Sequence, residues 1–295
     1  MIVVMDFGRE LINASRIGDS ETVKKLLAIE NQDDVRAGVD SALRRASENG
    51  HAEIVKMLMS AGADARDYDD YAFRMASEYR HIEVINILLN AGADVRAKDD
   101  YALLRAVRGG HTEIVKLLLD AGANVRASNE LALRTASAEG YTEIVKILVD
   151  AGANIHAEDN YSLRMASSFG NVEIVKTLLE AGASVCDKDN RALCEASENG
   201  YIEIVKALID AGADVRTNNE ALLRAVKSGN VEIVKMLIDA GADISAKNCE
   251  ALVIASTRSA NRHAEINRML IAGQDAGAKD DDGREVSSKA RRFNN

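Results

Sequence analysis

Apolar positions recur along this chain in a fixed rhythm. Between Asp100 and Asp120 they fall at Ala102, Leu103, Ala106 and Val107, and again at Ile114, Val115, Leu117, Leu118 and Leu119. Spacings of three and four predict two short helices, each with one apolar face. Gly109-Gly110 lies between them, and the glycine equivalent to Gly110 returns as Gly50, Gly140, Gly170, Gly200 and Gly229. A glycine just past a helix end supplies the left-handed residue that other types enter at a cost. One unit departs: Arg80 stands where the others have this glycine. Its backbone is expected to cost on the order of 1 kcal/mol.

The second helix is followed by Ala61-Gly62-Ala63-Asp64, a segment that returns with small changes at Ala91, Ala121, Ala151, Ala181 and Ala211, every 30 residues, and at Ala240 after 29. Such a period marks a tandem-repeat solenoid. One unit is too small to bury its own apolar face, so neighbours stack and leave a long continuous surface, which points to binding. Helix pairs are traceable with second helices starting near Glu21, Glu53, Glu83, Glu113, Glu143, Glu173, Glu203, Glu232 and Glu265. The fold expected is all-α, of about nine helix-turn-helix units joined by short extended links. No Pro-, Ser- or Gly-rich linker interrupts residues 1–280, so they read as one domain with a capping unit over about 1–33 and repeats over about 34–275. Arg9, Arg16, Lys24 and Lys25 are placed on the outside of the cap, and residues 281–295 read as a polar tail or half-unit.

The stretch Gly110-His111-Thr112-Glu113-Ile114-Val115-Lys116-Leu117-Leu118-Leu119-Asp120-Ala121-Gly122-Ala123-Asn124-Val125 resembles the second helix and outgoing turn of ankyrin repeats, and the resemblance spans nearly the whole chain. It implies a scaffold that holds another protein. The unit is shorter than the family's usual 33 residues, and the Thr-Pro-Leu-His start of the first helix is replaced by sequences such as Tyr71-Ala72-Phe73-Arg74. Short, proline-free units of this kind resemble the arrays of giant DNA viruses, which implies a host protein as partner and the host cytoplasm as location. With the threonine gone, the preceding Asp40, Asp70, Asp100, Asn160, Asn190 or Asn219 is the natural N-cap. The histidines His51, His81 and His111 occupy the family's structural slot at the inter-helix turn.

Composition narrows the function classes. With 47% apolar and 28% charged residues and no apolar run of membrane-spanning length, the chain reads as soluble and without a membrane. The N-terminus lacks the basic and apolar regions of a signal peptide, which suggests a cytoplasmic protein. Three cysteines, Cys186, Cys194 and Cys249, show no metal-ligand spacing. A net charge of −10 disfavours nucleic acid and favours a basic partner face. No nucleophile elbow, phosphate-binding loop or zinc motif is present, so no catalytic residue, metal or cofactor is expected. Glu53 and Lys56, three residues apart, read as a solvated pair.

Candidate binding residues are those that vary while their neighbours stay fixed. The resemblance places the concave face on the residue opening the first helix and the pair preceding the turn glycine. In this chain that selects Tyr71, Tyr101 and Tyr161 at helix starts, and Tyr79, Arg108, Glu139, Phe169 and Asn199 before the turn. Tyr79 and Phe169 are large aromatics in otherwise polar slots, typical of interface anchors. For the three helix-start tyrosines, binding and packing on the next unit remain equal alternatives. Two arginine ladders, Arg44, Arg74, Arg134 and Arg164 in first helices and Arg36, Arg66, Arg96, Arg126 and Arg216 in links, either grip acidic ligands or brace adjacent units; bracing is the expected role. The polar cap and charged tail argue for a monomer, with self-association as the alternative function.

Overall fold

A computed structural model describes residues 7–29, 33–185, 190–216, 219–244, 246–257 and 261–276. The expected tail, Cys186 and the side chains of Arg36 and Cys249 lie outside the described residues. The chain divides into two compact units, Met1–Asn154 and Ile155–Asn295. In the first unit the helices are α1 (Phe7–Ile17), α2 (Ser20–Leu27), α3 (Asp33–Glu48), α4 (Ala52–Ser60), α5 (Asp67–Glu78), α6 (Ile82–Asn90), α7 (Ala97–Arg108), α8 (Thr112–Asp120), α9 (Ala127–Glu139) and α10 (Thr142–Asp150). The second holds α11 (Ala157–Ser168), α12 (Val172–Glu180), α13 (Arg191–Asn199), α14 (Ile202–Asp210), α15 (Glu220–Ser228), α16 (Val231–Asp239), α17 (Ala246–Thr257) and α18 (Asn261–Ala276). No strand occurs among the described residues.

Both units follow one plan. First helices pack on first helices and second on second, as in the series α3, α5, α7 and the series α12, α14, α16. The apolar pair of each second helix and the leucine three residues later form the core: Ile114, Val115 and Leu118 in α8, and Ile204, Val205 and Leu208 in α14, are fully buried. The cap meets its expectation, with Leu11, Val23 and Leu26 buried and Arg9, Arg16, Lys24 and Lys25 exposed. Its helix α1 comes close to α3 where Gly8 faces Gly38; a β-carbon on Gly38 would lie 3.0 Å from the Gly8 backbone.

The links differ from expectation. They are not extended: after the turn at Gly62, φ +93°, the helix begins with three consecutive left-handed residues, Tyr68, Asp69 and Asp70. The same device recurs at Lys98-Asp99-Asp100, Ser128-Asn129-Glu130 and Glu158-Asp159-Asn160. Left-handed backbone costs an L-residue about 1 kcal/mol or more, least for Asp and Asn, whose short polar chains bond locally. That explains the Asp and Asn doublets. The turn residue Arg80 also has positive φ, 65°, as its place in the glycine column demands.

The expected N-caps are corrected accordingly. Asp70 and Asp100 do not cap the helices they precede; their Oδ1 atoms accept the backbone N–H of Asp94 at 2.8 Å and of Asn124 at 2.6 Å, each in the next repeat. Asp40, inside α3, accepts from Asp64 in the same way. Asn190 and Asn219 donate instead to the carbonyls of Asp214 and Asp243, and Asn160 lies beside the His156 ring. All of these side chains but that of Asn160 tie repeats together across 24 residues. Burial pushes the carboxyls of Asp70, Asp100 and Glu130 above their ordinary range, against the opposing effect of the backbone N–H bonds they accept.

Candidate protein-binding surface

Within each unit the inter-helix turns share one geometry, set by the histidine slot. His51 Nε2 lies 3.1 Å from the Arg16 carbonyl, His81 Nε2 3.0 Å from that of Glu48, and His111 Nε2 2.9 Å from that of Glu78. Each imidazole reaches back one repeat and satisfies a carbonyl at the end of a first helix, a group that the helix itself leaves open. Tyr141 does the same through its hydroxyl at Arg108, and Asn230 through its amide at Ser197. The histidines are therefore structural.

The arginine ladders brace. Arg66, Arg96 and Arg126 each donate Nε to the carbonyl of the next repeat's Gly92, Gly122 or Gly152, at 2.8 to 2.9 Å. Arg74 is buried, bonded to the carbonyls of Asp69 and Tyr68, and Arg44 pairs with Asp67. Lys56 does not pair with Glu53 as expected: its Nζ lies 2.7 Å from Glu83 of the following repeat, and Lys116 reaches Glu143 likewise. Only stacking decides between these partners, because two carboxylates are within reach of one flexible chain.

The candidate residues fall into two sets. Tyr71, Tyr101 and Tyr161 are half-buried, with Arg74 placed 5.5 Å from the Tyr71 ring centre and 5.2 Å from that of Tyr101, Arg105 5.0 Å from Tyr101, and Arg164 5.2 Å from Tyr161. Cation–π stacking engages their faces within the fold. Tyr79, Arg108, Glu139, Phe169 and Asn199 are exposed, all at the C-terminal ends of first helices. Tyr79 is 50% exposed and Phe169 59%, each following a helix whose apolar side is buried. Asn199 donates to the Ser168 carbonyl 3.1 Å away.

Sequence reasoning passed over two residues on this surface. Tyr68 is 69% exposed at the head of a left-handed turn, a position no periodicity singles out. Arg80, read only as a conformational irregularity, stands exposed between Tyr79 and His81, whose rings lie 6.5 Å apart. Among the described residues no cluster of three or more His, Cys, Asp or Glu could hold a metal ion, and no helix is long and apolar enough to cross a membrane.

Stacked helix pairs with glycine turns at a fixed period define a helical-repeat scaffold. A family model of ankyrin repeats, in three copies, matches residues 11–99, 98–159, 162–248 and 196–280, and the chain belongs to the ankyrin-repeat family. Ankyrin repeats in general mediate protein–protein interaction and act as non-catalytic scaffolds. No curated protein matches the sequence.

Proposed function

We propose that this chain is a non-catalytic module that binds a protein partner on the first-helix side, the concave face that the ankyrin resemblance implies. The observation that carries the reading is the exposure of Tyr79 and Phe169, at a column where sister repeats place Asn49, Gly109, Glu139, Asn199 and Ser228. Exposed aromatic side chains on a rigid scaffold give large contact area at small entropic cost, the profile of a binding anchor. Arg108 and Glu139 supply polar contacts in the unit that holds Tyr79, and Asn199 in the unit that holds Phe169. Tyr71, Tyr101 and Tyr161, half-buried at helix starts, add further contacts. The likeness of the short, proline-free units to those of giant DNA viruses supports a host protein as partner, met in the host cytoplasm.

The test is affinity capture from lysate with the wild-type chain beside a Tyr79→Ala, Phe169→Ala double variant of equal melting temperature. A protein retained by the wild type and lost by the variant is the expected result. Equal capture by both places the surface elsewhere.

One observation favours a second reading, self-association through the ends. Ile17 in the first helix pair, and Val253 and Ile271 in the last, are exposed apolar residues. Light scattering that returns a monomer mass at every concentration removes this alternative.

A further inference from the structure

The C-terminal stretches of four first helices, taken with their turns, are opposite in charge to the chain as a whole. Residues 41–50, 71–80, 101–110 and 131–140 carry seven arginines against three glutamates, in a protein of net charge −10. Most of these arginines are used internally. Arg44 pairs with Asp67, Arg45 with Glu48 and Arg105 with Glu78; Arg74 and Arg134 donate to carbonyls. Arg80 and Arg108 are different. Both are exposed, and among the described residues neither guanidinium has an ion pair or a hydrogen bond.

Their positions coincide with the aromatic anchor. Arg80 follows Tyr79 directly, and Arg108 ends α7, the first helix packed on α5. The His111 ring, bonded to the Glu78 carbonyl, joins the two turns beside Tyr79. Neighbouring first helices are about 8 to 10 Å apart, so the two guanidinium groups can reach one short segment. Of the carboxylates at neighbouring first-helix ends, Glu48 and Glu78 are held by Arg45 and Arg105, and Glu139 stands exposed at the end of α9.

Arg80 also carries a cost that the folded chain does not return. Its φ of 65° is one that the other repeats assign to glycine, and among the described residues no side-chain bond compensates. Strain kept at an exposed position points outward, toward an interaction made only with a partner.

We propose that Arg80 and Arg108, with Tyr79 beside Arg80, recognise an acidic peptide segment of the partner protein, each guanidinium taking a Glu or Asp carboxylate. The inference rests on the reading of the first-helix side as a protein-binding surface and reverses the partner charge that net composition suggested. Guanidinium–carboxylate pairs of this kind bind through paired N–H donors and fall off with salt.

The test measures fluorescence anisotropy of a fluorescein-labelled peptide of alternating glutamate and glycine with the full chain, beside the same peptide with glutamine. The wild type is expected to bind the glutamate peptide and not the glutamine one, more weakly as salt rises. Arg80→Gly and Arg108→Gln should each lower affinity about tenfold. Arg80→Gly should at the same time raise the melting temperature, which separates lost binding from lost folding. Equal affinity of wild type and Arg80→Gly, or no preference for glutamate over glutamine, overturns the proposal. A partner captured through Tyr79 and Phe169 but retained by Arg80→Gly also overturns it, while leaving the proposed function standing. Arg80-dependent binding of the glutamate peptide, in a chain that captures nothing through Tyr79 and Phe169, does the reverse.

Discussion

His81 covers Gly50. A β-carbon built on Gly50 would collide with the imidazole, 2.6 Å from Cε1, while the same ring reaches the Glu48 carbonyl. Gly62, in contrast, has positive φ, 93°, and nothing within 4 Å of its β-carbon position. Gly50→Ala is therefore expected to lose about 3 kcal/mol, from left-handed strain and overpacking together, and Gly62→Ala only about 1 kcal/mol, from strain alone. Urea unfolding of the two variants checks the difference; equal losses would mean that the histidine moves aside freely.

Arg80 occupies the same turn position as Gly50, one repeat on, with φ 65°. Glycine enters this conformation without steric cost, so Arg80→Gly should stabilise by about 1 kcal/mol in thermal melts. No gain would show that Arg80 already finds a compensating partner within the fold.

The carboxyl of Asp100 is 4% exposed and raised by burial above its ordinary value near 3.8. For a carboxyl raised in the folded state, the favourable contribution is present below the unfolded pKa and is lost as pH rises through the folded one. Asn fills the equivalent slot at Asn160, Asn190 and Asn219. Asp100→Asn should thus stabilise the protein at neutral pH, with a gain that shrinks as pH falls and vanishes below about pH 4. Denaturant midpoints measured from pH 3.5 to 7.5 follow the gain; a constant difference would point to geometry and not to titration.

Asn230 holds the slot that Tyr201 and the histidines fill in other repeats, and a pocket of about 360 Å³ opens beside it, lined by Gly200, Ile202, Gly229 and Arg262 among others. Asn230→His places a ring over Gly200 while keeping a donor for the carbonyl of Ser197 or Glu198. The expected gain is about 1 kcal/mol from filled space. An unchanged melting temperature would indicate that Arg262 or water already occupies the pocket.

Local rules account for what was legible in the chain itself. Helix starts and ends, the buried Ile-Val pairs, the left-handed glycines and the misfit at Arg80 all follow from spacing and from single-residue conformational cost. Tyr79, Arg108, Glu139, Phe169 and Asn199 were found exposed because two adjacent columns of equivalent positions reveal which ones the core does not need. The aspartate doublets carried a further local signal, their tolerance of left-handed backbone, which was read as capping because N-caps and left-handed turns favour the same residues.

Partnership was beyond the sequence. Asp70 meets Asp94, Lys56 meets Glu83, and His111 meets the Glu78 carbonyl across 24 to 33 residues, and among the described residues Arg80 and Arg108 have no ion pair. A linear chain offers each of these groups several acceptable partners of like chemistry. The repeat by itself determined which residues form helices, turns and core, since those choices depend on neighbours a few positions away. Which polar groups spend their bonds inside, and which remain for another molecule, was decided only when stacking set the distance and direction between one repeat and the next.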